Sequence, residues 1–396
     1  MSITPDEDTE AGFEHPRILR LHLTNFLSYR RAILEFGDLV ALVGPNASGK
    51  SNAVAAIKLL SEIPFQGLQT AIARRGGFDQ LRHRSKGHPY NPALRLDFSF
   101  PDSEPSFYEL KFGAQSGKRY QVSRERAVIH YHDGIYRFDN ATGKFTWQDV
   151  NPRYQHTAES GIPESGFVVP QGQSAVTAAI SYGTFLASQV LQSMQTVEIN
   201  PTRVGALQEP SSTREFESDG SNVASIFEYL GLAERSELID ELAAIIPGIE
   251  RIEVRRLADK VTLSFFQDTG TGIREFLAKQ MSDGTLRAFG ILLATLQERR
   301  PSLLIIEEPE IAIHLGALRT LVDILRQQSE YSQVLLTTHS ADIIDSLDID
   351  SLRVVWSDAG ASHISHVASH SIESVRKGLI TPGELLRSDS LDVATA

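Results

Sequence analysis

Two rhythms of apolar residues run along the chain. Ile18, Leu19, Leu21 and Leu23 predict a short strand, and a second apolar run over 36–43 predicts another. The second ends in a glycine-rich turn, after which Val54, Ile57 and Leu60 recur at helical spacing. Between about 93 and 138, short β-rich segments such as 94–100, 120–122 and 128–131 alternate with Gly, Pro, Asp and Asn, the signature of an antiparallel meander. The stretch 140–220 is the least legible. Pro152, Pro163, Pro170, Pro201 and Pro210 interrupt a Ser-, Thr- and Gly-rich sequence that leaves room for one helix near 178–194. Helices return after Ser221, an expected N-cap, over 223–230 and 234–246, and Pro247-Gly248 closes the second. Strands follow at about 250–256 and 260–266. The last third alternates: a helix from Gly284 with Leu286, Phe289, Leu293 and Leu296 on one face, a strand over 303–306, a helix over 315–327, a strand over 334–337, a short helix from Ala341 and a strand over 352–356. Strand–helix alternation of this kind predicts a parallel sheet covered by helices.

Composition narrows the chemistry. Of 396 residues 41% are apolar and 22% charged, within the globular range, and no cysteine is present. Disulfides, thiolate-held metals and thiol nucleophiles are thereby excluded. The acidic N-terminus carries no secretory h-region, and no apolar run reaches the ~18 residues of a membrane span, so a cytoplasmic protein with no membrane partner is expected. With a net charge of −12, any nucleic acid must be met by a local patch. One candidate is Arg74, Arg75, Arg82, Arg84 and Lys86, opposed in that stretch only by Asp79; another is Lys118, Arg119, Arg124 and Arg126, opposed only by Glu125. Solvated loop and strand faces are the plain alternative for both.

Residues 44–51, Gly-Pro-Asn-Ala-Ser-Gly-Lys-Ser, fit G-x-x-x-x-G-K-[ST] between an apolar strand and a helix. Loop amides and a helix N-terminus can cradle phosphates, Lys50 can neutralise the β- and γ-phosphates, and the Ser51 hydroxyl can ligate Mg2+. The apolar run 303–306 ends in Glu307-Glu308-Pro309-Glu310, which offers Glu307 for the metal and Glu308 as general base. His339 closes the strand over 334–337 where ligands of open α/β sheets gather, and is read as a sensor of the γ-phosphate. Ser282-Asp283-Gly284 opens the amphipathic helix as an N-cap and an anion site, with Asp283 also able to cap. Asp348-Ile-Asp350 reads as a turn, and His130 and His132 share a strand face without a third ligand in view.

In order, residues 44–52, 281–287, 306–310 and 337–340 resemble the ABC-type ATPase heads of the RecF, SMC and overcoming-lysogenization-defect group, and more narrowly the RecF-like bacterial ATPases. The resemblance implies an α/β P-loop NTPase fold: an ABC-type head with an antiparallel β subdomain and a mostly helical insertion. The prolines of 140–250 leave no long coiled coil, and no nuclease domain is expected after His339. The lobes are then 17–139 and 249–375, around an insertion over 140–248 and between polar tails over 1–16 and 376–396. ATP and Mg2+ are implied as ligands. Asn46, Ala47, Ser48, Gly49, Lys50, Ser51 and Asn52 would bind the nucleotide in one subunit, with Ser282 and Gly284 facing it from the other subunit of a head-to-tail homodimer or higher oligomer. Lys50, Glu308 and His339 would be catalytic, Ser51 and Glu307 would hold the metal, and Gln80 would join it to the opposite subunit. Residues 311–314 would cross the interface. The resemblance also offers Tyr29 or Phe26 to stack on the base, although aromatic residues in such turns more often fill the core. Two functions follow as expectations. One is ATP-driven dimerisation acting on DNA or a DNA-processing partner in repair or anti-phage defence; the other is a nucleotide-gated scaffold that holds a protein effector, a nuclease or toxin, with little DNA contact.

Overall fold

The computed structural model describes residues 14–84, 90–115, 119–150, 168–388 and 391–394. The chain begins with the hairpin β1 (Arg17–Phe26) and β2 (Tyr29–Glu35). β3 (Leu39–Val43) then leaves that layer and leads through residues 44–49 into α1 (Lys50–Gln66), α2 (Leu68–Ala73) and α3 (Phe78–Leu81). Strands β4 (Ala93–Ser99), β5 (Ser106–Ala114), β6 (Tyr120–Tyr131), β7 (Gly134–Ala141) and β8 (Lys144–Val150) extend the hairpin into a seven-stranded antiparallel sheet of order β2-β1-β4-β5-β6-β7-β8. The expected meander is therefore one part of a larger sheet that starts at Arg17.

After α4 (Tyr182–Gln192), strand β9 (Met194–Val197) precedes α5 (Pro201–Gly205), α6 (Val223–Tyr229) and α7 (Leu232–Ile245). A small meander follows: β10 (Ile249–Leu257), β11 (Lys260–Asp268) and β12 (Ile273–Leu277). Then come α8 (Asp283–Leu296), β13 (Leu303–Glu307), α9 (Leu315–Gln328), β14 (Gln333–Thr338), α10 (Ala341–Asp345), β15 (Leu352–Asp358), β16 (Ala361–His366), α11 (Ser369–Arg376) and α12 (Pro382–Arg387). The third sheet has the order β16-β15-β3-β14-β13-β9 and is parallel except for β16.

That sheet is buried on both faces, as a parallel sheet must be. Val40 and Leu42 of β3 face the core shared by α1 and the antiparallel sheet, while Ala41 and Val43 face the core under α8 and α9. β13 divides likewise, with Leu303 and Ile305 on one side and Leu304 and Ile306 on the other. Each such side chain contributes about 1.5–3 kcal/mol by leaving water. Burying both faces erases period-2 alternation, which is why these strands read as plain apolar runs.

Several expectations are corrected. The run over 36–43 is not one strand: β3 starts at Leu39, and β2 precedes it unread. A tight turn hides β2, in which Asn25 and Leu27 take positive φ of 51° and 49°, a conformation that asparagine favours and that leucine does not announce. The cap of α6 is Asn222 instead of Ser221. Within 140–248, β9 pairs in parallel with β13 and is the edge of the central sheet. Among the described residues no helix exceeds the 17 residues of α1, and none is long and apolar enough to cross a membrane.

Candidate nucleotide-binding site

Residues 44–49 turn sharply between β3 and α1. Gly44 has φ 150°, and a Cβ there would lie 2.1 Å from the Val355 carbonyl of β15; Gly49 has φ 118°, and its Cβ would lie 2.4 Å from Ser362 Oγ of β16. Only glycine fits either place. Ala47 adds a positive φ of 63°. α1 starts at Lys50, so the backbone N–H groups of Lys50 and Ser51 have no partner inside the helix, while those of Asn52 and Ala53 donate to the Gly49 carbonyl. Lys50 is 7% exposed, and its Nζ donates to the carbonyls of Gly44 (2.7 Å) and Pro45 (3.0 Å). Burial pushes its pKa down, and the carboxylates of Glu308 and Glu310 push it back up. The ammonium thus sits in the mouth of the loop, within the field of the acidic motif.

Asn46, Ala47 and Ser51 are exposed around that mouth, whereas Ser48 and Gly49 are buried. Beneath the loop runs a chain of side chains. Asn52 Nδ2 donates to Ser28 Oγ (2.7 Å), Ser28 and Ser362 hydroxyls are 2.7 Å apart, and Ser362 Oγ lies 2.6 Å from the Ser48 carbonyl. With one proton per hydroxyl, the order Asn52 to Ser28 to Ser362 to Ser48 satisfies every member. Tyr29, fully buried, donates its hydroxyl to the Gly49 carbonyl at 2.9 Å, and burial raises its pKa. Phe26 is fully buried as well. Neither ring can stack on a base, and Tyr29 supports the loop from behind through its bond to Gly49.

The acidic residues come to the same end of the sheet because β13 pairs in parallel with β14, Glu307 opposite Thr337. Glu308 follows with a positive φ of 47°, its N–H bonded to the Thr337 carbonyl at 2.9 Å. His339 Nδ1 stands 3.8 Å from a Glu308 oxygen and 3.5 Å from a Glu310 oxygen, and its ring is half-exposed. Glu307 accepts a hydrogen bond from Lys58 at 2.7 Å, and Lys58 also pairs with Glu198. Sequence reasoning missed Lys58 and Glu198. The first lies two turns beyond Ser51 on α1, a readable spacing. The second follows β9, which pairs Val197 with Ile306, so Glu198 and Glu307 end adjacent strands.

The signature residues form a separate group, and among the described residues no hydrogen bond or ion pair joins them to 44–52. Ser282 is the N-cap of α8, accepting from the Thr285 N–H at 3.2 Å. Asp283, expected as an alternative cap, is instead the first, exposed residue of the helix. Gly284 is buried, and a Cβ there would lie 2.1 Å from the Ala312 carbonyl, where φ is 64°. Its size is therefore set by loop 311–314 of its own chain. Gln80 is exposed on α3 and accepts from Arg84 at 3.0 Å.

The basic clusters are more compensated than their sequence suggests. Arg75 makes two bonds to Glu62, Arg82 pairs with Asp79, Arg124 with Asp139 and Arg126 with Glu109. Glu125, the acid expected to oppose the second cluster, is fully buried and serves Tyr108 and Ser174 instead. Lys86 and Lys118 lie outside the described residues. His130 Nδ1 is bonded to the Pro105 carbonyl, and no group of three or more potential metal-ligating side chains occurs among the described residues. Mg2+ takes one or two hard oxygen ligands from protein and the rest from phosphate and water. Ser51 brings an exposed hydroxyl and Glu307 a carboxylate that is bonded to Lys58.

Comparison with known proteins bears on the fold. A stretch of 133 residues is 25% identical to Structural maintenance of chromosomes protein 1 of Schizosaccharomyces pombe; it takes in 31% of this chain and 11% of that protein. The chain thus spans a small part of that relative. The Smc head bound to the C-winged helix domain of ScpA superposes with a TM-score of 0.59 at 14% identity, over 90% of this chain and 99% of that one. The Smc head with an extended coiled coil bound to the C-terminal domain of ScpA, from Pyrococcus furiosus, gives 0.57 at 12% identity, over 92% and 99%. These likenesses show the fold. The family model described as "AAA domain, putative AbiEii toxin, Type IV TA system" matches residues 39–345, so the chain belongs to that family and has the fold of an SMC- and RecF-like ABC-type ATPase head.

Proposed function

We propose that this chain hydrolyses ATP between two head-to-tail copies and transmits the resulting change of contact to DNA or to a DNA-processing partner. The observation that carries the reading is the Lys50 ammonium, buried in the loop mouth and held within the field of Glu308 and Glu310, with His339 beside both acids. The loop amides and Lys50 bind the triphosphate. Ser51 and Glu307 would hold Mg2+, which neutralises phosphate charge, and Gln80 would approach it when the copies close. Glu308 accepts a proton from the attacking water, and His339 senses the γ-phosphate. Ser282 and Gly284 of the other copy would complete the phosphate shell, so the γ-phosphate acts as a contact shared by two chains and its loss opens the dimer.

The paired arginines and the net charge of −12 favour a second reading, a nucleotide-gated scaffold for a protein effector, over broad DNA contact. ATP hydrolysis measured across an enzyme concentration series, with and without single- and double-stranded DNA, separates them. Specific activity that rises with concentration and again with DNA supports the first. Activity that rises with concentration but ignores DNA supports the second, and activity independent of concentration overturns the shared site. Glu308→Gln is expected to trap an ATP-bound dimer and Lys50→Ala to lose nucleotide binding.

A further inference from the structure

Glu310 follows the two acids of the candidate site and, beyond its field on Lys50, has no role in the scheme above. Its side chain is 10% exposed. Oε1 accepts a hydrogen bond of 2.7 Å from the Thr338 hydroxyl and one of 3.2 Å from the His339 N–H, and it lies 3.5 Å from His339 Nδ1. Thr338 is fully buried at the end of β14, and its Oγ1 accepts in turn from the Ser340 N–H at 3.0 Å. One carboxylate oxygen therefore gathers three groups of the segment that carries His339. The other oxygen, Oε2, is buried without a hydrogen-bond partner. A carboxylate half satisfied and out of water costs stability. Its backbone is tied to the acid loop too, since the Ile313 N–H donates to the Glu310 carbonyl at 3.3 Å and the Ile311 N–H to the Glu308 carbonyl at 3.1 Å.

Resting on the ATPase reading, we propose that Glu310 is a positioning residue that fixes His339 relative to Glu308, locking the end of β14 to the loop after β13. The same contact makes the general-base loop and the γ-phosphate sensor move as one body. A histidine on an untethered strand end would sample several rotamers, and only a fraction of bound ATP would meet it in register. The charge on Glu310 is secondary to its geometry: Oε1 does the holding, and glutamine can present the same acceptor.

The test uses the full chain and two readouts. The first is steady-state hydrolysis with ATP affinity measured separately by displacement of a fluorescent ATP analogue. Glu310→Ala is expected to lower kcat at least tenfold while ATP affinity changes less than threefold. Glu310→Gln should recover most of the rate, and Thr338→Val combined with Glu310→Ala should be no worse than Glu310→Ala alone. The second readout needs no turnover. Imidazole NMR of the nucleotide-free protein, with the His339 signals assigned by their loss in His339→Gln, should show them shifted in Glu310→Ala and restored in Glu310→Gln. A wild-type protein without ATPase activity would overturn the hydrolytic reading and leave this second arm standing. His339 signals identical in wild type and Glu310→Ala, or additive effects in the double variant, would overturn the role of Glu310. Thermal melts that match wild type separate these outcomes from misfolding, and Glu310→Gln supplies the measurement if the alanine variant fails to fold.

Discussion

The phenol of Tyr29 donates a 2.9 Å hydrogen bond to the carbonyl of Gly49, the last residue before the phosphate-loop helix. A side chain of the first hairpin thereby sets the backbone of a loop twenty residues further on. Removing the hydroxyl takes one hydrogen bond from a carbonyl that also accepts from the Asn52 and Ala53 N–H groups, a loss of about 0.5–1.5 kcal/mol. Tyr29→Phe is expected to melt earlier and to bind ATP and GTP more weakly by the same factor. A base-stacking tyrosine would behave otherwise, since phenylalanine stacks equally well; unchanged affinities in a nucleotide titration would refute the support role.

Lys58 holds two carboxylates at the ends of adjacent strands, Glu198 and Glu307. Lys58→Met leaves like charges side by side in a partly buried place, and a loss of about 1–2 kcal/mol is expected. Adding Glu198→Gln should recover most of it. Thermal melts of the single and double variants decide, and equal stabilities would show that the pair carries no coupling.

Glu241 on α7 accepts from Gln328 of α9 at 3.1 Å, and burial pushes its pKa from 4.5 up to about 7. The folded chain then holds a proton between those values that the unfolded chain has released. This group's contribution to stability is fully present below about 4.5 and is lost as pH rises through about 7. Allowing for solvent screening, about 1–2 kcal/mol is at stake. Denaturant melts of wild type and Glu241→Gln from pH 4 to 8 should diverge across that window, glutamine being the more stable at the upper end. Parallel curves would contradict the shift.

Gly284 and Ser282 separate the two jobs of the signature. An added Cβ at Gly284 would overlap the Ala312 carbonyl of its own chain, so Gly284→Ala should destabilise the nucleotide-free monomer by about 1–3 kcal/mol. Ser282 is exposed, and Ser282→Arg should leave the melt within about 1 kcal/mol of wild type while abolishing ATP-dependent dimers on a sizing column. A dimer that survives Ser282→Arg would remove the shared site.

Much of the candidate site is visible in sequence because its residues stand at the ends of unbroken apolar runs: Val43 into Gly44, Ile306 into Glu307, Leu336 into His339 by way of Thr337 and Thr338. What escaped notice lacks that contrast. β9 has four residues, Met-Gln-Thr-Val, in a polar stretch, and is a strand only because β13 supplies its partner. β16, Ala-Ser-His-Ile-Ser-His, is polar throughout and is held by β15. Lys58, Glu198, Ser362 and Glu310 act through contacts with distant parts of the chain, which local spacing does not encode. The paired arginines show the same limit, since Glu62, Glu109 and Asp139 lie outside the clusters they neutralise.

β3 lies between β14 and β15, and the phosphate loop rests on Val355 and Ser362. A ribosome makes the loop first and its floor more than three hundred residues later. Through that interval, then, the nascent chain carries the phosphate-loop sequence without the hairpin that gives it shape. The ability to grip a triphosphate arrives late and all at once, when β15 and β16 close behind the loop, and a chain truncated before them would display the motif and lack the grip.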